Sequence, residues 1–161
     1  MGIWRKMKSF AILGGEKRKL LMEAALYLAW ARFLKIIPFQ KLAPSLGIPM
    51  EETTKVVNLK EREIASSISD VLYLMSRYTF WESECLVKAI AGMKMLKRRG
   101  IASTIYFGTA KDESGKMTAH AWLRSGSYYV TGTEGMERFT VVGKFANRIC
   151  ENNIRGKNYE K

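Results

Sequence analysis

One histidine and two cysteines are all that this chain of 161 residues holds of imidazole and thiol side chains: His120, Cys85 and Cys150. Two cysteines cannot build a disulfide framework, which predicts a reducing, cytoplasmic setting. With a single histidine beside them they are too sparse for a structural zinc site without help from carboxylates, and no metal is expected. No cofactor is expected either. The glycines of Gly132-Thr133-Glu134-Gly135 lack the helix and basic residue that follow in a phosphate-binding loop. A secretory signal is missing, because Phe10-Ala11-Ile12-Leu13 is short and no small-residue cleavage site follows. Met1-Gly2-Ile3-Trp4-Arg5-Lys6 fails the myristoylation pattern, which wants Ser or Thr where Lys6 stands. An uninterrupted apolar run is also lacking. Leu20–Ile37 carries Glu23, Arg32 and Lys35, and a charge at the bilayer centre costs about 2.5–3.5 kcal/mol, so no stable membrane span is expected. There is no internal repeat and no low-complexity tract.

Acidic residues are in deficit, 15 against 27 basic ones, for a net charge of +12. That surplus favours an anionic partner: nucleic acid, a membrane surface, or an acidic protein or peptide. No recognised nucleic-acid motif accompanies it, and nucleic acid is not the expected partner. An apolar share of 47% with 26% charged residues is that of one folded globular domain with a real core.

Residues 1–19 read as a basic lead-in ending at a Gly14-Gly15 break. From Leu20 to Ile37, Leu20, Leu21, Ala24, Ala25, Leu28, Phe33, Leu34 and Ile37 recur at helical intervals, a largely buried helix that Pro38 closes. Phe39–Pro49 reads as a short helical turn between prolines, and residues 50–60 as a surface connection. Helical spacing returns from Glu61 to Tyr78, with Ile64, Ile68, Val71, Leu72 and Met75 on one face. A further helix ends at Lys97-Arg98-Arg99-Gly100, where cations offset the carbonyl end and glycine tolerates a left-handed cap. Its start is signalled twice, by Thr79 with Glu82 as a capping box and by Ser83 as an N-cap. Under either, Cys85 falls in the first two turns, at the positive end of the helix dipole that favours a thiolate. Strand character follows over Ala102–Thr109 and Met117–Arg124, then Tyr128–Thr131 and Phe139–Val142, as antiparallel hairpins. Alternation puts Ala119, Ala121 and Leu123 on one side of the second strand, and Thr118, His120 and Trp122 on the other.

A thiol early on a helix, with an imidazole on a later antiparallel strand, is the order of cysteine hydrolases that pack a helix on a sheet. Cys85 is the candidate nucleophile and His120 the candidate base. A third polar group should orient the imidazole, from Thr131, Glu134 or Asp112; Glu134 is the preferred choice. Trp81 and Trp122, flanking the pair in the chain, are candidate substrate-binding residues.

Cys85-Leu86, the helix end Leu96-Lys97-Arg98-Arg99-Gly100-Ile101, Ala119-His120-Ala121-Trp122, Glu137-Arg138-Phe139-Thr140 and the helix ending in Ile37-Pro38-Phe39 together resemble the lasso-peptide leader peptidases. That resemblance implies an α+β fold: an N-terminal helical portion (1–78, docking partner and precursor) and a papain- or transglutaminase-like core (79–161), forming one compact unit. It implies a cysteine peptidase that removes the leader from a ribosomally made precursor peptide. The length matches the split form, in which a separate small leader-recognition protein grips the leader and an ATP-dependent cyclase closes the macrolactam. The family's usual aspartate, about a dozen residues beyond the histidine, has no counterpart in Val130-Thr131-Gly132-Thr133-Glu134. Either Glu134 substitutes for it, or a backbone or hydroxyl group orients His120. Two other readings stand beside this one: a non-catalytic peptide-binding module of the same fold, and a basic protein that binds nucleic acid or a membrane surface.

Overall fold

The computed structural model describes residues 14–56, 58–78 and 85–148. Among them, four α-helices pack on a five-stranded antiparallel sheet, the expected α+β class. Helix α1 spans Gly15–Leu34, α2 Phe39–Leu46, α3 Leu59–Ser76 and α4 Cys85–Arg98. The strands are β1 (Ile48–Pro49), β2 (Ser103–Lys111), β3 (Met117–Ser125), β4 (Tyr128–Thr131) and β5 (Thr140–Asn147), in spatial order β1-β5-β2-β3-β4.

The Gly14-Gly15 pair does not break the chain but starts α1, five residues ahead of the expected Leu20. Glu16 in the first turn complements the exposed N–H groups there. The helix ends at Leu34, and Ile36 and Ile37 then make tighter bonds to the carbonyls of Phe33 and Leu34 before Pro38 turns the chain. One stripe of α1 (Leu21, Ala24, Leu28, Ala31) is buried against α3 and α4. The Arg99 guanidinium bonds Glu23 through both nitrogens, at 2.9 and 2.6 Å, and ties the end of α4 to α1. Asn58 caps α3 by accepting from Glu61 N–H. At the far end of α4, Gly100 takes φ +68° and Ile101 N–H reaches back to Leu96 O, the closure that the glycine after the basic turn predicts. No helix among the described residues is long and apolar enough to cross a membrane.

The sheet's two faces have different chemistry. Ile105, Leu123 and Val130 join Ala65, Ile68, Leu72 and the buried face of α4 in one apolar cluster. The spacing is tight: a methyl group at Gly92 of α4 would lie 2.7 Å from Leu123 Cδ2. The opposite face carries rings, with Tyr106 of β2 stacked on its cross-strand neighbour Trp122 at 5.6 Å and 8°.

Residues 50–56 run over the surface as expected for a connection, with one exception that ties them to the sheet. Pro49 ends a short strand on β5, an edge position that tolerates its missing N–H. Thr53 is then buried, its N–H and hydroxyl both on Thr104 Oγ1 at 2.9 Å. The anchor is Arg124, which is 2% exposed. Its guanidinium donates to Tyr106 Oη (2.8 Å), Thr53 O (3.1 Å), Glu52 Oε2 (3.2 Å) and Gly126 O. A buried guanidinium is stable only when its N–H groups are occupied, so this one residue recruits the connection onto the sheet.

Arg124→Ala should therefore cost about 3 kcal/mol by urea denaturation, since it strands several buried acceptors at once. The Glu52 carboxyl is held below its ordinary 4.5, first by the hydrogen bond from Lys144 and further by Tyr106 and the nearby cations. A depressed carboxyl supplies stability that is present above the ordinary value and lost as pH falls through the lower folded one. Between about pH 5 and about pH 3, Glu52→Gln should lose less of its Tm than the parent protein does.

Candidate active site

Cys85 is the first described residue of α4, half-buried and unbridged. The position leaves its sulfur at the helix end where backbone N–H groups have no intrahelical acceptor. Thr79, Trp81, Glu82 and Ser83, the expected capping and substrate-binding residues before it, lie outside the described residues, as does Cys150.

His120 lies midway along β3, opposite Gly108 of β2. Its ring belongs to the aromatic face. Trp122 stacks on it at 5.9 Å and Phe139 at 5.0 Å, with interplanar angles of 28° and 29°. Gly108 makes room for this stack, since a Cβ there would come within 2.9 Å of Trp122 and 2.8 Å of Phe139. Trp122, a candidate for contacting substrate, is 5% exposed, with Tyr106 and His120 stacked against it.

The group that holds the imidazole is a backbone carbonyl. His120 Nε2 lies 2.9 Å from Gly132 O, twelve residues on. A carbonyl only accepts, so Nε2 carries the proton and Nδ1 of the neutral ring is left as the base. Of the three side chains proposed for this task, none occupies it. Asp112 accepts from Ser114 and Lys116 in the β2–β3 turn, and these bonds hold its carboxyl low. The Thr131 hydroxyl is buried with no partner among the described residues. Glu134 accepts from Tyr73 Oη at 3.1 Å.

Tyr73 of α3 is the residue that sequence reasoning passed over. Its hydroxyl accepts from Gly132 N–H at 3.1 Å and donates to Glu134, while Lys88 Nζ, one turn into α4, sits 4.8 Å from the ring centroid. Burial is the main cause that pushes the phenol above its ordinary 10.0, with Glu134 adding to the rise and the Gly132 bond opposing it. The hydroxyl therefore stays protonated at neutral pH. Contacts thus run from the first turn of α4 through Lys88, Tyr73 and Gly132 to His120, around the β4 edge of the sheet. Within the described residues no hydrogen bond joins Cys85 Sγ directly to His120.

A thiol at the start of a helix and a strand-borne imidazole of fixed tautomer, carried on an antiparallel sheet, are the elements that the helix-on-sheet cysteine hydrolases and acyl transferases use. The chain matches the model of the Transglutaminase-like superfamily over residues 24–144, three quarters of its length, and belongs to that superfamily. Its members are commonly cysteine peptidases or acyltransferases. No curated protein and no solved structure matches the chain.

Gly132 has φ +76°, and a Cβ on it would lie 2.5 Å from Ala121 O and 2.9 Å from Trp122 Cα. Gly135 shares the left-handed conformation (φ +69°) but would meet only the Arg138 side chain, at 3.4 Å. Gly135→Ala should cost about 1 kcal/mol of backbone strain, whereas Gly132→Ala should cost about 3 kcal/mol or more, because backbone cannot move aside as a side chain can. Chemical denaturation of the two variants measures the difference.

Proposed function

We propose that this protein is a cysteine peptidase that removes the leader from a ribosomally made lasso-peptide precursor. In that role it works in the cytoplasm with a separate leader-recognition protein and an ATP-dependent cyclase. The observation that carries the reading is the hydrogen bond from His120 Nε2–H to Gly132 O, which keeps Nδ1 free to take a proton from a thiol. Membership of the transglutaminase-like superfamily supports the peptidase part. The precursor, the recognition protein and the cyclase rest on the motif resemblance.

In this mechanism His120 Nδ1 accepts the Cys85 proton, and the thiolate adds to the scissile carbonyl. Backbone N–H groups at the start of α4, that of Cys85 included, meet the oxyanion, and Trp81 is the proposed substrate contact. The imidazolium then gives its proton to the departing amine, which leaves an acyl-enzyme. His120 next takes a proton from water as the water attacks, releasing the acid and the free thiol. Glu134 acts on the histidine at one remove, through Tyr73. The net charge of +12 would help hold an acidic leader or recognition protein.

One observation favours the second reading, a non-catalytic peptide-binding module: the Cys85 thiol has no hydrogen bond to His120 among the described residues. Both readings meet in one experiment. Precursor and recognition protein are incubated with the enzyme and read by mass. Cys85→Ala and His120→Ala, checked for folding, should lower leader release by about 10⁴-fold or more. Normal cleavage by either variant, or none by the parent protein, sinks the peptidase assignment.

A further inference from the structure

We infer that Tyr73 is a positioning residue for His120, acting from α3 through the Gly132 backbone to select the imidazole tautomer. The inference deepens the peptidase reading and rests on it for its functional meaning, though not for its test.

The two bonds at Gly132 sit on either side of one Cα. Its N–H belongs to the peptide shared with Thr131 and is taken by Tyr73 Oη at 3.1 Å. Its C=O belongs to the next peptide and is taken by His120 Nε2 at 2.9 Å. Between them the backbone is left-handed and pressed against β3, with no room for a Cβ. The direction of the carbonyl is therefore coupled to the preceding peptide, which the pairing of Thr131 with Leu123 holds from the sheet and the tyrosine hydroxyl holds at its N–H. Tyr73 is itself held at three points: its hydroxyl on Gly132 and on Glu134, and its ring beneath Lys88. Lys88 and Cys85 share the first turn of α4, so one ring registers both the histidine's acceptor and the cysteine's helix. A hydroxyl that served only to fill space would not need both an N–H donor and a carboxylate acceptor. Phenylalanine keeps the ring and the Lys88 contact but frees Gly132 N–H and lets the peptide pair turn.

The chain has one histidine, so its imidazole nitrogens give a single, unambiguous set of resonances in a ¹⁵N spectrum. In the native protein at high pH, the Nε2–H tautomer should dominate. In Tyr73→Phe, with circular dichroism unchanged, the ratio of Nε2–H to Nδ1–H forms should fall by about fivefold, the equilibrium weight of one ordinary hydrogen bond. Leader cleavage should fall about tenfold in kcat with KM little changed, as expected when a group acts on the chemical step alone. An unchanged tautomer ratio in folded Tyr73→Phe protein overturns the positioning role. If Tyr73→Phe does not fold, Glu134→Ala decides. It removes the acceptor that orients the hydroxyl, and should move the ratio the same way by a smaller factor; no movement overturns the inference. Failure of the native protein to cleave any leader overturns the peptidase reading, while the tautomer ratio still tests Tyr73.

Discussion

The constraint on which the site depends is the approach of the Gly132 peptide to the backbone of β3 at Ala121 and Trp122. Only a residue without a Cβ, in a left-handed conformation, can come this close. Once there, the loop after β4 lies beside the histidine strand and offers its carbonyl to the imidazole. An acidic side chain would supply a full negative charge at the same place. A carbonyl supplies a dipole, which still dictates which nitrogen holds the proton. The orienting task is thus met by main chain, and its precision comes from packing and from Tyr73.

The rest of the aromatic face continues this logic. Arg124, Tyr106, Trp122, His120 and Phe139 form one row along β3, with each member in contact with the next. The two rings stacked against the imidazole limit its freedom to rotate, and the hydrogen bond to Gly132 chooses its orientation. The row ends in a buried guanidinium that binds residues 52–54 to the sheet. The other face is plain apolar packing, which fixes α4 against β3 and so the depth at which Cys85 sits. Two kinds of interaction thus locate Cys85 and His120, and they meet at Tyr73.

Much of this was legible in the chain. The helix that Gly100 closes is written in local spacing and charge, because cap chemistry depends on neighbours only a few residues apart. The alternation that separates His120 from Leu123 is a period of two that any half-buried strand displays. Cys85 and His120 stand out by their rarity and order. Elements whose partners are distant fared worse. Residues 50–56 look like polar connection, since nothing near them announces that Arg124, some seventy positions later, will need their carbonyls. The start of α1 lies ahead of Leu20 because the two glycines, which locally signal a break, sit at its exposed first turn, where Glu16 complements the free N–H groups.

The amino-acid order by itself determined the α+β class, the two faces of β3, and the placing of a thiol at the head of a helix ahead of a strand-borne imidazole. Those follow from periodicity, capping and composition, which act over a few residues. Only the tertiary structure decided what orients that imidazole. The acceptor is a backbone carbonyl, which every residue carries and none advertises. The tyrosine that aims it lies fifty-nine positions away, on another helix.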